Sequence, residues 1–568
     1  MSESIKTTYE WREIPWRKLE ISVFKLQKRI YKASENGDVK KVHKLQRLMM
    51  KSKAAKLIAV RRVTQDNQGK KTAGIDGIKS LTPHQRITLA ENLGNLPMGK
   101  PTRRVWIPKP GKEEKRPLGI PTMNDRALQA QVKIAMESEW EAKFEPNSYG
   151  FRPGRSVHDA IEAIHSTIVQ KPKYVLDADI AKCFDRIDHQ TLLNKINTYP
   201  TLNRLINKWL KAGVFDKTVF AQTEMGTPQG GVISPLLANI ALEGLEEEIK
   251  NAFPRTIELG QKGKRNQVLW QPQIIRYADD FVILHRDKRV IEQCKEIAEK
   301  WLGEKGLEIS QKKTRIAHTL KQEAGITGFD FLGFNIRQYK VSKYNSKQGF
   351  KTLIKPSKAA IKRHYQKLSD LIDSNKAETQ EGLINLLNPV ISGWCRYYST
   401  VVSKEVFQKL DQMLYEKLKR WAKRRHPKKT RQWIVNKYWH PEQGKGWKFS
   451  TKKGFSLLLH TNMSIIRHIK VKGKASPFNG EWNYWAIRRG TYLGVSGKIT
   501  KLMKIQKGRC KECELFFTME AIIEIHHLDG NRQNNKLNNL AIAHRHCHDR
   551  IHSGLSELSK LVGTYDKS

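Results

Sequence analysis

The sequence predicts a multidomain α+β protein, and three observations support this class. The chain has 568 residues, which is enough for three or four domains that each bury a core of their own. Short β-branched runs and helical patterns share the chain up to about residue 355, and helical patterns dominate beyond it. Three of the six cysteines lie in the last sixty residues, which indicates a small separate unit at the C terminus.

The net charge indicates a nucleic-acid partner. Lys and Arg number 104 against 56 Asp and Glu, so the formal charge is +48. Such an excess predicts a long polyanion as partner and strongly salt-dependent binding. A membrane is the rival partner, but no apolar run reaches the roughly 18 residues of a spanning helix, and residues 1–16 lack the apolar core of a signal peptide. We therefore expect a cytoplasmic protein with no membrane contact and no disulfide framework.

The first long pattern, Val39 to Arg62, is typical of an amphipathic helix with a basic face and no acidic residue. A charged face is usually solvated, but an unbalanced one on so basic a chain favours contact with phosphates. Further on, the prolines and glycines between Arg103 and Pro121 predict a basic hairpin that projects Lys109 and Arg116 from its two arms. Lysine as a point charge and arginine as a bidentate fork suit a triphosphate.

Two Gly-rich stretches follow this hairpin in different parts of the chain. Ser148 to Ser156 carries glycines that permit close backbone approach and two arginines, and a purely structural turn is equally open. Glu224 to Leu237 is a Gly- and Pro-rich loop that runs into an apolar helix. Gln229 lies before two glycines in this loop and is placed to contact a nucleotide through its amide.

Between these stretches, Tyr174 to His189 predicts a buried strand followed by a short helix. The strand would deliver Asp177 or Asp179 to its end, and Asp179 is the preferred metal ligand. Phe184, on the short helix, would lie under the sugar of a nucleotide and reject a 2′ hydroxyl. A core aromatic is the open alternative for Phe184.

The most informative stretch is Tyr277-Ala278-Asp279-Asp280, which lies between two apolar β-branched runs. It predicts a tight hairpin whose turn holds adjacent carboxylates. Packed between hydrophobic strands, two such carboxylates need a compensating cation, although an exposed Asp-Asp turn is open on four residues alone. Two Mg²⁺ ions shared with substrate phosphates would align an attacking 3′ hydroxyl and stabilise a pyrophosphate leaving group.

Seven ordered motifs resemble the fingers and palm of reverse transcriptases, in spellings similar to those of bacterial group II intron-encoded proteins. The motifs are RPLGIP, SYGFRPGRS, DIAKCFD, GTPQGGVISPLLANIAL, RYADDFVIL, KGLEISQKKT and FDFLGFNI.

This resemblance implies a right-hand polymerase and assigns roles to the residues already singled out. It implies that Asp179, Asp279 and Asp280 hold the two Mg²⁺ ions and that none of the three is substituted. It implies a triphosphate contact for Lys109 and Arg116. The dNTP site would be lined by Gln229, with Phe184 as the steric gate. The strand from Phe329 to Phe334 would be the primer grip.

Beyond Lys355, helical patterns predict a thumb that binds structured RNA. Nine of the fifteen residues from Lys417 to Arg431 are basic, and Trp421 is expected to be available for base stacking. The stretch NPVISGWCRYYS resembles the maturase domain of intron-encoded proteins, which implies binding of the parent intron RNA and help with its splicing. No catalytic residue is expected in this domain.

The C-terminal cysteines have zinc-ribbon spacing. Cys510, Cys513 and Cys547 would bind a structural Zn²⁺, with His544 favoured over His546 as the fourth ligand. A disulfide and a redox CxxC are the weaker alternatives.

A second set of histidines in the same unit resembles the ββα-metal core of HNH endonucleases. That resemblance implies that His527 is the general base and that Asn539 orients the base or its loop. His526, His548 and, with less support, His552 would hold one catalytic divalent ion, with Mg²⁺ preferred. Many HNH domains have Asp where His526 stands, which leaves the metal preference open.

We expect four domains. Residues 1–355 would form the fingers and palm, with an N-terminal extension to about residue 80, and 356–440 the thumb. Residues 441–503 would be a DNA-binding linker, and 504–568 the nuclease. The expected function combines RNA-directed DNA synthesis, maturase activity and a nick in the second target strand that primes synthesis. The expected partners are intron RNA, target DNA and dNTPs, and the oligomeric state is open.

Overall fold

The computed structural model describes residues 11–95, 97–108, 114–216, 219–259, 266–323, 325–441, 447–518 and 521–553. Its first part is helical. The pattern from Val39 to Arg62 forms two helices rather than one, because the side chain of Ser52 accepts a hydrogen bond from the amide of Ala55 and begins a new helix. The helices of this part are α1 (Trp16–Glu35), α2 (Val39–Lys51), α3 (Lys53–Arg61) and α4 (Pro83–Asn92).

The predicted basic hairpin is confirmed. Strand β1 (Thr102–Pro108) pairs antiparallel with β2 (Lys115–Ile120), and Arg116 lies opposite Ile107. Lys109 lies outside the described residues. Two later strands, β4 (Val214–Asp216) and β5 (Val219–Ala221), complete a sheet of order β2-β1-β4-β5.

The region from residue 123 to 318, which we call the palm, is built around a second, antiparallel sheet. Its strands lie in the order β10 (Arg315–His318), β3 (Tyr174–Asp179), β9 (Asp280–His285) and β8 (Gln273–Tyr277). Its central strands are buried on both faces, because helices that include 288–303 pack on one side, and the helix 157–168 packs on the other together with residues 329–336. The elements of the palm are α5 (Met123–Lys143), α6 (Val157–Ile168), β3 (Tyr174–Asp179), α7 (Cys183–Arg186), α8 (His189–Ile196), α9 (Pro200–Leu210), α10 (Ser234–Ala241), α11 (Leu245–Asn251), β6 (Thr256–Leu259), β7 (Asn266–Leu269), β8 (Gln273–Tyr277), β9 (Asp280–His285), α12 (Lys288–Gly303) and β10 (Arg315–His318).

The predicted strand from Phe329 to Phe334 is instead a tight hairpin. Leu332 (φ +50°) and Gly333 (φ +84°) form its turn between β11 (Phe329–Phe331) and β12 (Phe334–Lys340). Strand β13 (Phe350–Pro356) pairs with β12. The thumb holds this turn, because the hydroxyls of Tyr397 and Tyr398 donate to the carbonyl oxygens of Leu332 and Gly333.

The thumb is helical, as expected, but the prediction for Trp421 is wrong. Its side chain is only 4% exposed and packs in the thumb core with Tyr438 and Phe449, so it has no free face for a base. Trp433, which is 37% exposed, lies beside Lys429 and Lys437 instead. The thumb helices are α13 (Lys358–Ser374), α14 (Gln380–Tyr398), α15 (Lys404–Arg425) and α16 (Arg431–Tyr438).

The C-terminal part ends in a strand–strand–helix unit with its own apolar cluster. Its two strands pair antiparallel, with His526 opposite Ala541 and His527 opposite Leu540. None of the helices in the described ranges has the length and apolar character needed to cross a bilayer. The elements of this part are β14 (Trp439–Pro441), β15 (Trp447–Phe449), α17 (Trp482–Arg489), α18 (Gly497–Ile505), β16 (Ile523–His527), β17 (Leu540–His544) and α19 (Arg545–His552).

Candidate active site of the palm and the C-terminal metal clusters

The palm sheet brings Asp179, Asp279 and Asp280 together. Asp179 ends β3 and lies opposite Asp280, the first residue of β9. Asp279 is in the two-residue turn between β8 and β9, and its carbonyl oxygen accepts a hydrogen bond of 3.3 Å from the amide of Ile180. Two side chains separated by one hundred positions in sequence therefore share one end of the sheet.

The electrostatics of this cluster suit divalent cations. Burial, followed by the charges of Asp279 and Asp179, raises the pKa of Asp280 to about 7. Burial and the charge of Asp179 also raise the pKa of Asp279. Lys313 offsets part of this charge, since its Nζ lies 2.6 Å from Oδ2 of Asp179. Carboxylate oxygens are the type of ligand that Mg²⁺ prefers.

Asp177 occupies a different environment from Asp179. It lies opposite Val282, two residues further from the turn, and its carboxylate accepts a hydrogen bond of 3.1 Å from Nε of Arg315. Burial raises its pKa to about 6, with Arg315 opposing the shift. Between the two candidates, the geometry therefore favours Asp179 as the partner of the hairpin pair.

The stretch from Ser148 to Ser156 supports the carboxylate hairpin from behind. Tyr149 donates its amide to the carbonyl oxygen of Arg276 at 2.9 Å, so the stretch runs beside β8. A Cβ at Gly150 would collide with the amide nitrogen of Ala278, which is the first residue of the turn and has a φ of +58°. Glycine is needed here because two backbones approach closely.

Buried arginines fix the same region. Arg276, which is 2% exposed, lies 3.5 Å from the carboxylate of Glu145 and donates to Asn239. Arg152 forms a buried ion pair of 2.8 Å with Glu141. Since both partners of that pair are buried, Arg152 has a structural role and is not free for nucleic acid.

The predicted nucleotide-contact residues surround the carboxylates. The side-chain Nε2 of Gln229 lies 3.2 Å from both carboxylate oxygens of Asp185. The backbone carbonyl oxygen of Gln229 accepts a hydrogen bond from the backbone amide of Gly119 on β2. The loop of Gln229 is thus tied to both the basic hairpin and α7. Arg116 is exposed on β2, and its charge acts on the carboxylates of Asp185 and Asp279.

Phe184 is half-buried beside this loop. Its carbonyl oxygen accepts a hydrogen bond of 2.6 Å from Thr227, and its ring centroid lies 6.5 Å from that of Phe151. Phe151, which is 50% exposed, was not singled out from the sequence, and neither were Asp185 and Lys313. The signal for all three was present, because each lies inside one of the recognised motifs.

The zinc-type ligands meet in the C-terminal unit. One ligand atom each from Cys510, Cys513, His544 and Cys547 lies within 4.8 Å of the others. The Sγ of Cys513 is 3.4 Å from Nδ1 of His544. His546 is exposed and stacks on the outside of His544 at 5.2 Å, so the geometry selects His544 as the fourth member. Three thiolates and an imidazole form a set that suits a structural Zn²⁺.

A second cluster combines His526 on β16 with His548 and His552 on α19, again within 4.8 Å. Burial, followed by the charges of the other two histidines, lowers the pKa of His526 to about 4. The Nδ1 of His548 lies 2.9 Å from Glu524, which leaves its Nε2 to face the cluster. Neutral imidazoles of this kind are suitable ligands for a divalent metal ion.

His527 and Asn539 are not members of this cluster. His527 follows His526 on the strand, so its side chain points to the other face of the sheet. Within the described part of the chain, its Nε2 is buried without a hydrogen-bond partner. Asn539 donates to Asp529 at 2.8 Å and to the carbonyl oxygen of Asn534 at 2.9 Å. Asn539 therefore holds the loop that follows His527.

Three parts of the chain match models of known protein families. Residues 107–336 match a family model described as reverse transcriptase (RNA-dependent DNA polymerase), and residues 11–93 match one for the N-terminal domain of reverse transcriptase. The protein is thus of the reverse transcriptase class. Residues 361–439 match the group II intron, maturase-specific domain. The chain belongs to the group II intron-encoded reverse transcriptase/maturases.

Curated relatives share parts of the chain. Protein YkfC of Escherichia coli (strain K12) is 32% identical over 308 residues, which cover 48% of this chain and 78% of that protein. The group II intron-encoded protein LtrA of Lactococcus lactis subsp. cremoris is 34% identical over 286 residues, covering 41% of this chain and 47% of LtrA. An uncharacterized 91 kDa protein in the cob intron of Schizosaccharomyces pombe is 29% identical over 374 residues, covering 54% of this chain and 44% of that protein. The match therefore spans less than half the length of LtrA.

Proposed function

We propose that this protein synthesises DNA on an RNA template, binds its parent group II intron RNA as a maturase, and nicks the second strand of a DNA target. The observation that carries the polymerase is the meeting of Asp179, Asp279 and Asp280 at one end of the palm sheet. We propose the bacterial cytoplasm as its location. We propose that these activities are divided among the four expected domains.

In the polymerase, each residue around the carboxylates has a proposed task. Asp179, Asp279 and Asp280 would hold two Mg²⁺ ions, which, when bound, supply the charge that aligns a primer 3′ hydroxyl and stabilises pyrophosphate. Arg116, together with Lys109, binds the triphosphate. Gln229, held by Asp185, contacts the incoming nucleotide, and Phe184 is the gate against a 2′ hydroxyl.

The polymerase is tested by replacing Asp279 and Asp280 with Ala. We expect the variant to incorporate no dNTP on a primed RNA template, because the oxygens that hold the ions are gone, and to bind intron RNA as tightly as the wild type. Primer-extension gels and filter binding measure the two properties. Residual polymerisation by this variant would show that the active site has been placed wrongly.

Asp177→Asn is the matched control for this experiment. Asp177 is an acid on the same strand, two residues from Asp179, and its carboxylate forms an ion pair with Arg315. We expect Asp177→Asn to keep most of the wild-type extension rate and Asp179→Asn to lose it. The reverse result would move the third ligand to Asp177.

The maturase role rests on the match of residues 361–439 and on the exposed basic residues at the end of α15. The side chains of Lys423, Arg424, Lys428 and Lys429 are exposed around this helix end. A run of exposed cations beside Trp433 suits the phosphates and unstacked bases of a structured RNA. The thumb would bind and stabilise the intron RNA, and the RNA would carry out the splicing chemistry.

The nuclease role is supported by the two clusters of the C-terminal unit. Cys510, Cys513, Cys547 and His544 would hold Zn²⁺ and stabilise the fold. His526, His548 and His552 would hold one catalytic divalent ion, which, when bound, polarises the scissile phosphate. Three imidazoles suit a transition-metal ion better than the Mg²⁺ that the sequence predicts. His527 accepts the proton of the attacking water, and Asn539 keeps the loop after His527 in place. The nicked strand would then provide the 3′ end that primes synthesis.

The nuclease is tested with His527→Ala. We expect this variant to lose nicking of supercoiled plasmid in the presence of Mn²⁺ or Mg²⁺, because the base is absent, and to keep primer extension unchanged. His546→Ala is the matched control, since His546 is an exposed histidine of the same unit outside both clusters. Nicking by His527→Ala at the wild-type rate would rule out the assignment of the base.

A further inference from the structure

Residues 463–495, which we name the docking arm, are bound to the palm by a buried ion pair. Asp159, near the start of α6, is fully buried. Its carboxylate accepts hydrogen bonds from Nη2 of Arg488 at 2.6 Å, the amide of Val471 at 2.7 Å and Nε2 of His468 at 3.0 Å. A buried carboxylate that is paired with a guanidinium and also accepts from an imidazole and an amide is a strong anchor, because removing the guanidinium leaves its charge without compensation.

Further contacts extend this interface along the arm. Arg155 donates to the carbonyl oxygen of Gly473 at 2.9 Å and to that of Ala475 at 3.4 Å. A Cβ at Gly154 would lie 2.7 Å from the ring of Trp485, so the indole packs directly on the backbone of the palm. The ring of Phe24 on α1 lies 5.4 Å from Tyr492 and 6.0 Å from Phe478.

The opposite face of α17 belongs to the C-terminal unit. Ala486 is fully buried in the apolar cluster that also contains Cys510 and Cys547. Asn483 donates to the carbonyl oxygen of Phe517 at 3.2 Å. Ile487 packs on Gly508, where any Cβ would collide with it. Helix α17 is therefore shared by two cores, with Trp485 in one and its neighbour Ala486 in the other.

The palm residues that receive the arm are also close to the polymerase carboxylates. Gly150 packs on the turn of the carboxylate hairpin, and Gly154 and Arg155 hold the arm four and five residues later. One short turn thus touches both the Asp279 hairpin and the segment that leads to the metal clusters. The carboxylate hairpin and the docking arm are therefore connected through this turn rather than through a flexible linker.

We infer that the docking arm fixes the C-terminal metal clusters at one position relative to the palm carboxylates, and that Arg488 is the positioning residue of this arrangement. Segments joined by a small or polar interface normally move relative to one another, but here a buried ion pair and a shared helix prevent it. The fixed position stands on these contacts alone. Its consequence, a constant spacing between the second-strand nick and the polymerase, rests on the proposed function.

The inference is tested by a distance measured in the full-length protein. Spin labels are attached through unnatural amino acids at Gln293 on the palm and Lys536 on the C-terminal unit, both of which are exposed. We expect one narrow distance distribution in the wild type. Arg488→Gln should widen it about twofold or more, because a released unit moves freely. Arg489→Gln, the same change at the exposed neighbouring arginine, should leave it narrow.

A broad distribution in the wild type, or a narrow one in Arg488→Gln, would overturn the inference. His468→Gln removes a second partner of Asp159 and should widen the distribution in the same way, so the test does not depend on one variant. Arg488→Gln should keep wild-type primer extension and plasmid nicking, which separates positioning from loss of fold. If plasmid nicking is absent in the wild type, the proposed nuclease fails while the distance measurement still decides the arrangement.

Discussion

At the scale of single residues, the position of the palm carboxylates depends on the absence of a side chain at Gly150. Ala278 has a φ of +58°, a left-handed conformation that costs an L-residue roughly 1–2 kcal/mol. The turn keeps this conformation because Arg276 donates to the carbonyl oxygen of Ala278 at 3.4 Å and because the bare backbone of Gly150 packs against it. These contacts therefore fix the direction of the Asp279 and Asp280 side chains.

Gly150→Ala tests this dependence. The new methyl group would collide with the amide of Ala278, so we expect a loss of about 1–3 kcal/mol in the free energy of unfolding and a larger proportional loss of primer extension. Urea denaturation and primer extension measure the two effects. Gly393→Ala is the control, because Gly393 is an exposed helical glycine with open space around it, and alanine there should stabilise. Wild-type stability and activity in Gly150→Ala would refute the role of the close approach.

Residue chemistry alone could predict part of this site. Adjacent acids between apolar runs indicate a metal-binding turn, and the alternation around Asp179 indicates a strand, so the three carboxylates are predictable without coordinates. The structural role of Arg152 is not predictable in this way, because its partner Glu141 lies on a helix and nothing in the sequence indicates that the two residues pair. The predicted exposure of Trp421 is wrong for a similar reason. A tryptophan among lysines on a helix is exposed or buried according to which side meets the next helix.

At the scale of elements, the C-terminal strand–strand–helix unit is small, and its apolar cluster is completed by Ala486, Leu502 and Met503 of α17 and α18. Below roughly 40 residues a domain usually needs a metal or a disulfide. Its strands carry ligands for both clusters, with His526 on β16 and His544 at the end of β17. Spacing in the sequence could predict the ligands, but only the stacking of His546 on the outside of His544 separates those two histidines.

His544→Ala tests the proposed zinc site formed by Cys510, Cys513, His544 and Cys547. We expect the wild type to release one Zn²⁺ per chain when its thiols are titrated with a mercurial, and His544→Ala to be purified with much less. Structural zinc contributes about 10–16 kcal/mol of apparent binding free energy in small domains, so the variant should also lose plasmid nicking through unfolding of this unit. His546→Ala should keep its zinc. Equal zinc content in both variants would contradict the choice of His544.

At the scale of the whole molecule, separate apolar clusters are joined by shared elements. The described residues form three clusters, and α17 contributes to two of them. Composition could predict that the chain has several cores, since length and charge set that expectation. It could not predict that residues 463–495 lie on the palm, because this contact pairs Asp159 with residues more than three hundred positions away.

The charge of +48 has a consequence for the whole molecule that can be measured. If the thumb neutralises 6–10 phosphates, affinity for a group II intron transcript should fall about 10³- to 10⁵-fold between 50 and 200 mM salt, because counterions are released on binding. Arg424→Gln combined with Lys428→Gln should lower the slope of log affinity against log salt by about 1–2. Lys343→Gln with Lys347→Gln removes the same charge from an exposed loop and should leave the slope unchanged. Equal slopes for both double variants would mean that overall charge, rather than the thumb, holds the RNA.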